Sequence, residues 1–433
     1  MPLNRVPFYI VLLASVLPWA VAATGSKFVS YVPDILALAA FGVFTLRYPE
    51  RVFRIHPLFA LLLALVVFHV VFTKLTGRGM ASGGTVSLVA LTFIFSRLLE
   101  SGAQPASVRE IGRLISILYA VHILFIFAEY FIEWAGHGDF LFLMGNGSYR
   151  ERLSGNFFWN GGRGRWGITY WTNGANSLLL GPQSASQLLA IGALWFAPLC
   201  RGQRFTRGML PWIWIALAVL AFPLSMTMTS LIIIATMLFV AVFLLPNGNL
   251  NRGWVKVVLV ALVVAMWKPL ATMFAYKITS NPLTLDYYLK TFLDIPRKFP
   301  DLPLADKIMG HGALNEATTV LSSTDFGLMA VVYHAGLFLV VPLLAGFCIL
   351  AYKVWQALRH GDYAVNGASR DWAGLLGASF LGALGWLVSL IHYTPAIELG
   401  GRHLFALLLA VCIVALKKVG GGVEETAAVQ EAG

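Results

Sequence analysis

Apolar runs of about twenty residues alternate with short polar turns along this chain, and two stretches of roughly fifty residues break the rhythm. Runs of that length can cross a bilayer core of roughly 30 Å as helices. Twelve can be read, at about 6–24, 29–46, 58–73, 84–99, 111–132, 182–199, 210–226, 230–246, 255–274, 326–352, 373–393 and 403–416. The pattern predicts an all-α, polytopic membrane protein of about 12 transmembrane helices, with long loops at about 133–181 and 276–325. No soluble domain is expected. Residues 1–418 read as one integral-membrane domain, and 419–433, rich in Gly and then acidic and small, as a disordered cytoplasmic tail.

Charge adds an orientation. The formal net charge of +11 would suggest nucleic acid in a soluble chain, but here the basic residues cluster in alternate turns. Arg47, Arg51 and Arg54, then Arg97, Arg109 and Arg113, then Arg201, Arg204 and Arg207 follow this pattern, as do Arg252, Lys256, Lys353, Arg359 and Arg370. With Arg5, Lys417 and Lys418, 17 of the 31 basic residues fall on one side, against Lys27, Lys74, Arg78 and Arg402 in the short turns of the other. Cytoplasmic loops carry such an excess, so both termini are expected in the cytoplasm of a bacterial inner membrane, with the two long loops in the periplasm. Nucleic-acid binding is thereby excluded as the meaning of the charge. The start, with Arg5, an apolar run and Ala20-Val21-Ala22, also has the form of a cleavable signal. A retained first helix is expected, and cleavage would leave the remaining topology unchanged.

The first long loop concentrates chemistry. Tyr149, Phe157, Phe158, Trp159, Trp166, Tyr170 and Trp171 are interleaved with Arg150, Arg152, Arg163 and Arg165, and with glycines at 155, 161, 162, 164 and 167. Aromatic faces suit the C–H face of a sugar, arginine forks suit phosphate oxygens, and glycine permits close backbone approach. An interfacial aromatic belt accounts for part of this set. It does not account for four arginines on the side that the charge rule disfavours. An anionic, sugar-bearing substrate does.

In the second loop, Leu285, Tyr288, Leu289, Phe292 and Leu293 share one face of a short helix between Pro282 and Pro296, followed by Arg297, Lys298 and Lys307. Structural lid and ligand contact remain equal alternatives for it. Within the spans, the ionisable groups noted are Glu129, His122, His69 and His334. Such groups are functional candidates by default, but a histidine bonded to a neighbouring carbonyl is the simpler expectation. They form no chain of charges for an ion-coupled transporter. Cys200, Cys348 and Cys412 fall at or inside apolar runs, with no metal-ligand spacing.

Further motifs are Arg152-Leu153-Ser154-Gly155, Gly181-Pro182-Gln183, Gly310-His311-Gly312, Ser322-Ser323-Thr324-Asp325-Phe326-Gly327-Leu328 and Gly336-Leu337. Together with the topology, they resemble the bacterial O-antigen polymerase and ligase superfamily. That resemblance implies a GT-C-like, metal-independent glycosyltransferase without a cofactor, acting on polyprenyl-diphosphate-linked sugars at the periplasmic face. Members of the ligase branch open the span after the large loop with a His and then Asn, Ser or Gln; this chain reads Thr324-Asp325-Phe326 there. The departure favours a polysaccharide polymerase over an O-antigen ligase, with a lipid-linked oligosaccharide flippase as the alternative of another class.

The resemblance makes a polyprenyl-diphosphate-linked oligosaccharide, membrane lipid and a chain-length regulator the expected partners. The candidate bases are Asp325 and His311. Arg152 and Arg297, followed by Arg163, Arg165 and Arg402, are the candidate diphosphate ligands, and Trp159, Trp166 and Trp171 the candidate sugar platforms. No Asp-x-Asp or HExxH motif stands in either loop, so no metal is expected.

Overall fold

The computed structural model describes residues 2–24, 27–52, 57–76, 83–101, 107–134, 182–203, 210–225, 228–251, 253–261, 264–265, 268, 297, 299–310, 327–360, 367–391, 396–397 and 399–431. Among these residues the chain is helical, with no strand beyond an isolated bridge between Cys200 and Gly248. The main helices are α1 (Val6–Thr24), α2 (Val32–Arg47), α3 (Pro57–Leu75), α4 (Gly83–Leu99), α5 (Val108–Trp134) and α6 (Pro182–Phe196). They continue with α7 (Leu210–Ser225), α8 (Met228–Phe239, extended by a π turn at Val240–Leu244), α9 (Leu304–Met309), α10 (Gly327–His360), α11 (Gly367–Ser389) and α12 (Gly401–Glu431).

Eleven of these helices coincide in position with apolar runs in the sequence. The remaining run, 255–274, is helical at 253–261 and lies mostly outside the described residues, as does the expected amphipathic helix at 285–293. Among the described residues, four stretches are long and apolar enough to cross a membrane by themselves: Phe28–Arg47, Val108–Ala128, Gly327–Arg359 and Arg370–Ser389.

Among the described residues, large apolar side chains cover much of the outside of the bundle. Ile35, Leu36, Leu38, Val43 and Leu46 of α2 are exposed, as are Leu61, Val67, Phe68 and Val71 of α3 and Trp212, Ile213, Val219 and Leu220 of α7. A soluble protein seldom exposes contiguous apolar faces of this extent; a bilayer solvates them. This is a membrane protein.

Without a hydrophobic drive between helices in lipid, close packing of small residues holds such a bundle. Here α11 supplies it. Gly374 lies against the backbone of Gly202, Gly377 against Cys200 Sγ, Gly382 against Leu408, and Gly385 against Ile191 and Met237. The central layer is α11 packed on α12, α12 on α4, and α6 on α7, α8 and α11. The buried apolar residues form one continuous cluster from Phe8 to Val419.

Charged contacts define one end of the bundle. Arg5 pairs with Glu110 at 2.6 Å, Lys417 with Glu100 at 2.6 Å, Arg97 with Glu100 at 3.2 Å and Arg109 with Asp371 at 3.9 Å. The Arg201 N–H donates to Asn247 O at 2.8 Å, and Asn247 Nδ2 to Ala373 O at 3.2 Å, so the turns after α6 and α8 meet the start of α11. Basic residues far apart in sequence thus share one end, here called the basic end. Cys200 is buried in that same set of turns, and burial pushes its thiol up to about 12, which leaves it unreactive near neutral pH.

Two departures from the sequence pattern stand out. The last helix continues to Glu431, where a disordered tail is expected from residue 419. The composition there allows it, because Glu424, Glu425, Ala427, Ala428, Gln430 and Glu431 are strong helix formers. The other departure is in α10, which is not continuous: Gly336 has φ 73° and ψ 164°, and the helix breaks there.

Candidate functional site

The break in α10 joins two of the motifs. Gly336 is buried, and its Cα faces the backbone of α9. A Cβ added to it would stand 2.2 Å from Ile308 O and 2.4 Å from Gly310 N. Gly310 has φ 84°, and a Cβ there would stand 2.3 Å from His334 O. The two glycines, 26 positions apart in sequence, cross backbone to backbone. Both have positive φ, where other residues are strained. The N–H of Gly310 donates to Asp306 O at 2.9 Å and closes α9. Non-helical backbone at membrane depth survives only when protein covers it or it lines a cavity; here α9 covers it. At the start of α10, the Leu328 N–H donates to Leu390 O at 2.5 Å and ties the helix to the end of α11.

A second polar cluster lies at the end of the bundle opposite the basic end, where α2, α4 and α12 begin. Asp34, in the first turn of α2, takes Arg402 Nη2 at 2.6 Å on Oδ2 and the Ser87 hydroxyl at 3.0 Å on Oδ1. His403 Nε2 lies 3.1 Å from Oδ1, in contact but off the line of a well-aligned hydrogen bond. The side chains of Arg402 and Asp34 are 12% and 21% exposed, whereas that of His403 is sealed. Arg402 Nε and His403 Nδ1 are buried and have no partner among the described residues. Close packing fixes the surroundings, since a Cβ on Gly84 of α4 would lie 2.4 Å from Ile397 O.

Of the residues singled out from the sequence, Arg402 belongs to this cluster and Arg297 is exposed. Asp325, His311, Arg152, Arg163, Arg165, Trp159, Trp166 and Trp171 lie outside the described residues. His122 is buried, and its Nε2 is 3.1 Å from Ser15 Oγ of α1, so its partner is a hydroxyl and not the carbonyl expected. The sequence reading passed over Asp34, Ser87 and His403. A signal for Asp34 exists, because it is the one charged residue between Lys27 and Arg47 and sits inside an apolar run. No such signal marks Ser87.

No family model and no curated protein matches the sequence.

Proposed function

We propose that this chain is a membrane-embedded polysaccharide polymerase, joining polyprenyl-diphosphate-linked repeat units on the side of an inner membrane opposite its basic end. The observation that most supports this reading is the crossing of Gly310 and Gly336, which ties the close of the second long loop to the break in α10. His311 directly follows Gly310 of that crossing in sequence, and Asp325 stands two positions ahead of α10.

In the reaction, an acceptor hydroxyl attacks the anomeric carbon of the donor. The new C–O bond forms as the bond to the diphosphate breaks, and the hydroxyl proton passes to a base, Asp325 or His311. The leaving group departs as polyprenyl diphosphate. Catalysis then rests on positive charge fixed where the leaving group gains negative charge, the role proposed for Arg152 and Arg297, then Arg163, Arg165 and Arg402. Trp159, Trp166 and Trp171 would stack on the sugars. No step calls for a metal or cofactor. A chain-length regulator protein is the proposed partner.

In the organism that makes this protein, deletion of its gene is expected to leave lipid-linked single repeat units and no long chains, read by mass spectrometry of the lipid-linked pool. Long chains that are made but not attached to lipid A-core would favour the ligase alternative. Single units trapped on the cytoplasmic face would favour the flippase.

The orientation has its own test. Cysteine introduced at Asn160 should react with an impermeant thiol reagent in intact spheroplasts, and cysteine at Phe205 should not. The opposite result reverses the topology.

The role of Asp325 can be separated from helix capping. A side-chain oxygen just ahead of α10 can accept first-turn N–H groups, a contribution of about 1 kcal/mol that Asn matches. Asn is not a base. Asp325→Asn is therefore expected to keep substrate binding and lose turnover by roughly 10²–10⁴-fold. Full turnover would leave His311 as the base.

A further inference from the structure

Paired charges at membrane depth are expensive to bury and are retained where they do something. From Arg402 to Lys417 in α12 is fifteen positions, or roughly 22 Å at 1.5 Å per residue. The Asp34 cluster and the Lys417–Glu100 pair therefore mark opposite faces of a layer roughly three-quarters as thick as a bilayer core of about 30 Å. Asp34 sits at the rim of that layer, at the end the proposed function assigns to catalysis.

The manner of pairing is informative. Asp34 holds Arg402 through one terminal nitrogen and not through the two-pronged contact a guanidinium can make with a carboxylate. The carboxylate's other oxygen is taken by Ser87 and faces His403. Asp34 is thus anchored by partners from two other helices, α4 and α12, while Nε of Arg402 is left without one among the described residues. A buried N–H donor without an acceptor is unfavourable, and Nε–H is the neighbour, on one edge of the guanidinium, of the Nη2 that already holds Asp34. The Arg402 side chain keeps some exposure although its Nε is buried, whereas the imidazole of His403 is sealed.

We propose that Asp34, itself fixed by Ser87 and His403, is a positioning residue that holds Arg402 by Nη2 and leaves its Nε–H to take an oxyanion of the polyprenyl diphosphate. This inference rests on the function proposed above. Asp34 does not touch the ligand. A pair serving only to clamp α2 to α12 would work equally well with its charges exchanged.

The test uses the full chain in phosphatidylcholine nanodiscs, with polyprenyl diphosphate as the probe and thermal unfolding measured alongside. Arg402→Gln is expected to weaken binding about tenfold, and Asp34→Asn about threefold to tenfold. Arg402→Lys should fall between wild type and Gln, since lysine keeps the charge and loses the fork. The exchange Asp34→Arg with Arg402→Asp should recover thermal stability without recovering binding. Recovery of both would make the pair a clamp and overturn the proposal, as would wild-type affinity in Arg402→Gln. Equal competition by phosphatidylglycerol would assign the Nε–H to a phospholipid headgroup and overturn it too. If the wild-type chain fails to bind polyprenyl diphosphate, the proposed function itself falls. Binding by the wild type that Arg402→Gln leaves intact removes only the positioning claim.

Discussion

Gly336→Ala is expected to destabilise the protein by about 3 kcal/mol or more. The backbone at Gly336, with φ 73° and ψ 164°, occupies a region essentially restricted to glycine, where another residue is strained by about 1–3 kcal/mol. The added methyl would also meet Ile308 O and Gly310 N at less than 2.5 Å, and both are backbone atoms that cannot swing aside. Strain and overpacking act together here and place the change at the severe end of single substitutions. Gly42→Ala is the control. It lies in α2 with nothing within 4 Å of the new Cβ, and alanine there should be neutral or stabilise by up to about 1 kcal/mol. Thermal unfolding in detergent, followed by tryptophan fluorescence, compares the two directly. Equal melting temperatures would mean that α9 does not pack on the break in α10.

Arg152→Ala and Arg297→Ala are each expected to abolish most glycan extension while the protein still folds and inserts. A preorganised donor to a developing oxyanion contributes about 3–4 kcal/mol, or roughly 10²–10³-fold in rate. Little loss of stability is expected because Arg297 is exposed and because, by sequence, both arginines belong to long loops whose charge runs against the charge rule. Extension assays on membranes at matched protein levels provide the measurement. Near-normal rates in both variants would remove them from the mechanism. Full activity with lysine at both positions would show that charge alone suffices and that no planar fork is used.

The helices were legible because membrane helices announce themselves by length and apolarity, and eleven runs reappear as helices, though the last extends fifteen residues past its expected end. What the runs could not reveal was the break in α10, since Ala335-Gly336-Leu337 reads as continuous apolar sequence. A glycine in a span is as readily a packing position, like Gly377 or Gly385, as a point of positive φ. The short helix α9 also escaped the pattern, because six residues give too few turns to establish a period. At the Asp34 cluster, Arg402 was visible as a charge in a short turn. Its partner was not, because an ion pair across 368 positions depends on how α2 and α12 pack and leaves no trace in local spacing. The tail failed for a different reason: three successive glycines at 420–422 argue for disorder, while the Glu- and Ala-rich stretch after them argues for helix.

Incubation of the purified chain in nanodiscs with a polyprenyl-diphosphate-linked oligosaccharide tests the central claim most directly. A ladder of products longer than one repeat, with release of polyprenyl diphosphate in step with each added unit, is the predicted result. Unchanged substrate, with no covalent product at any length of incubation in a preparation that binds the lipid, would contradict it.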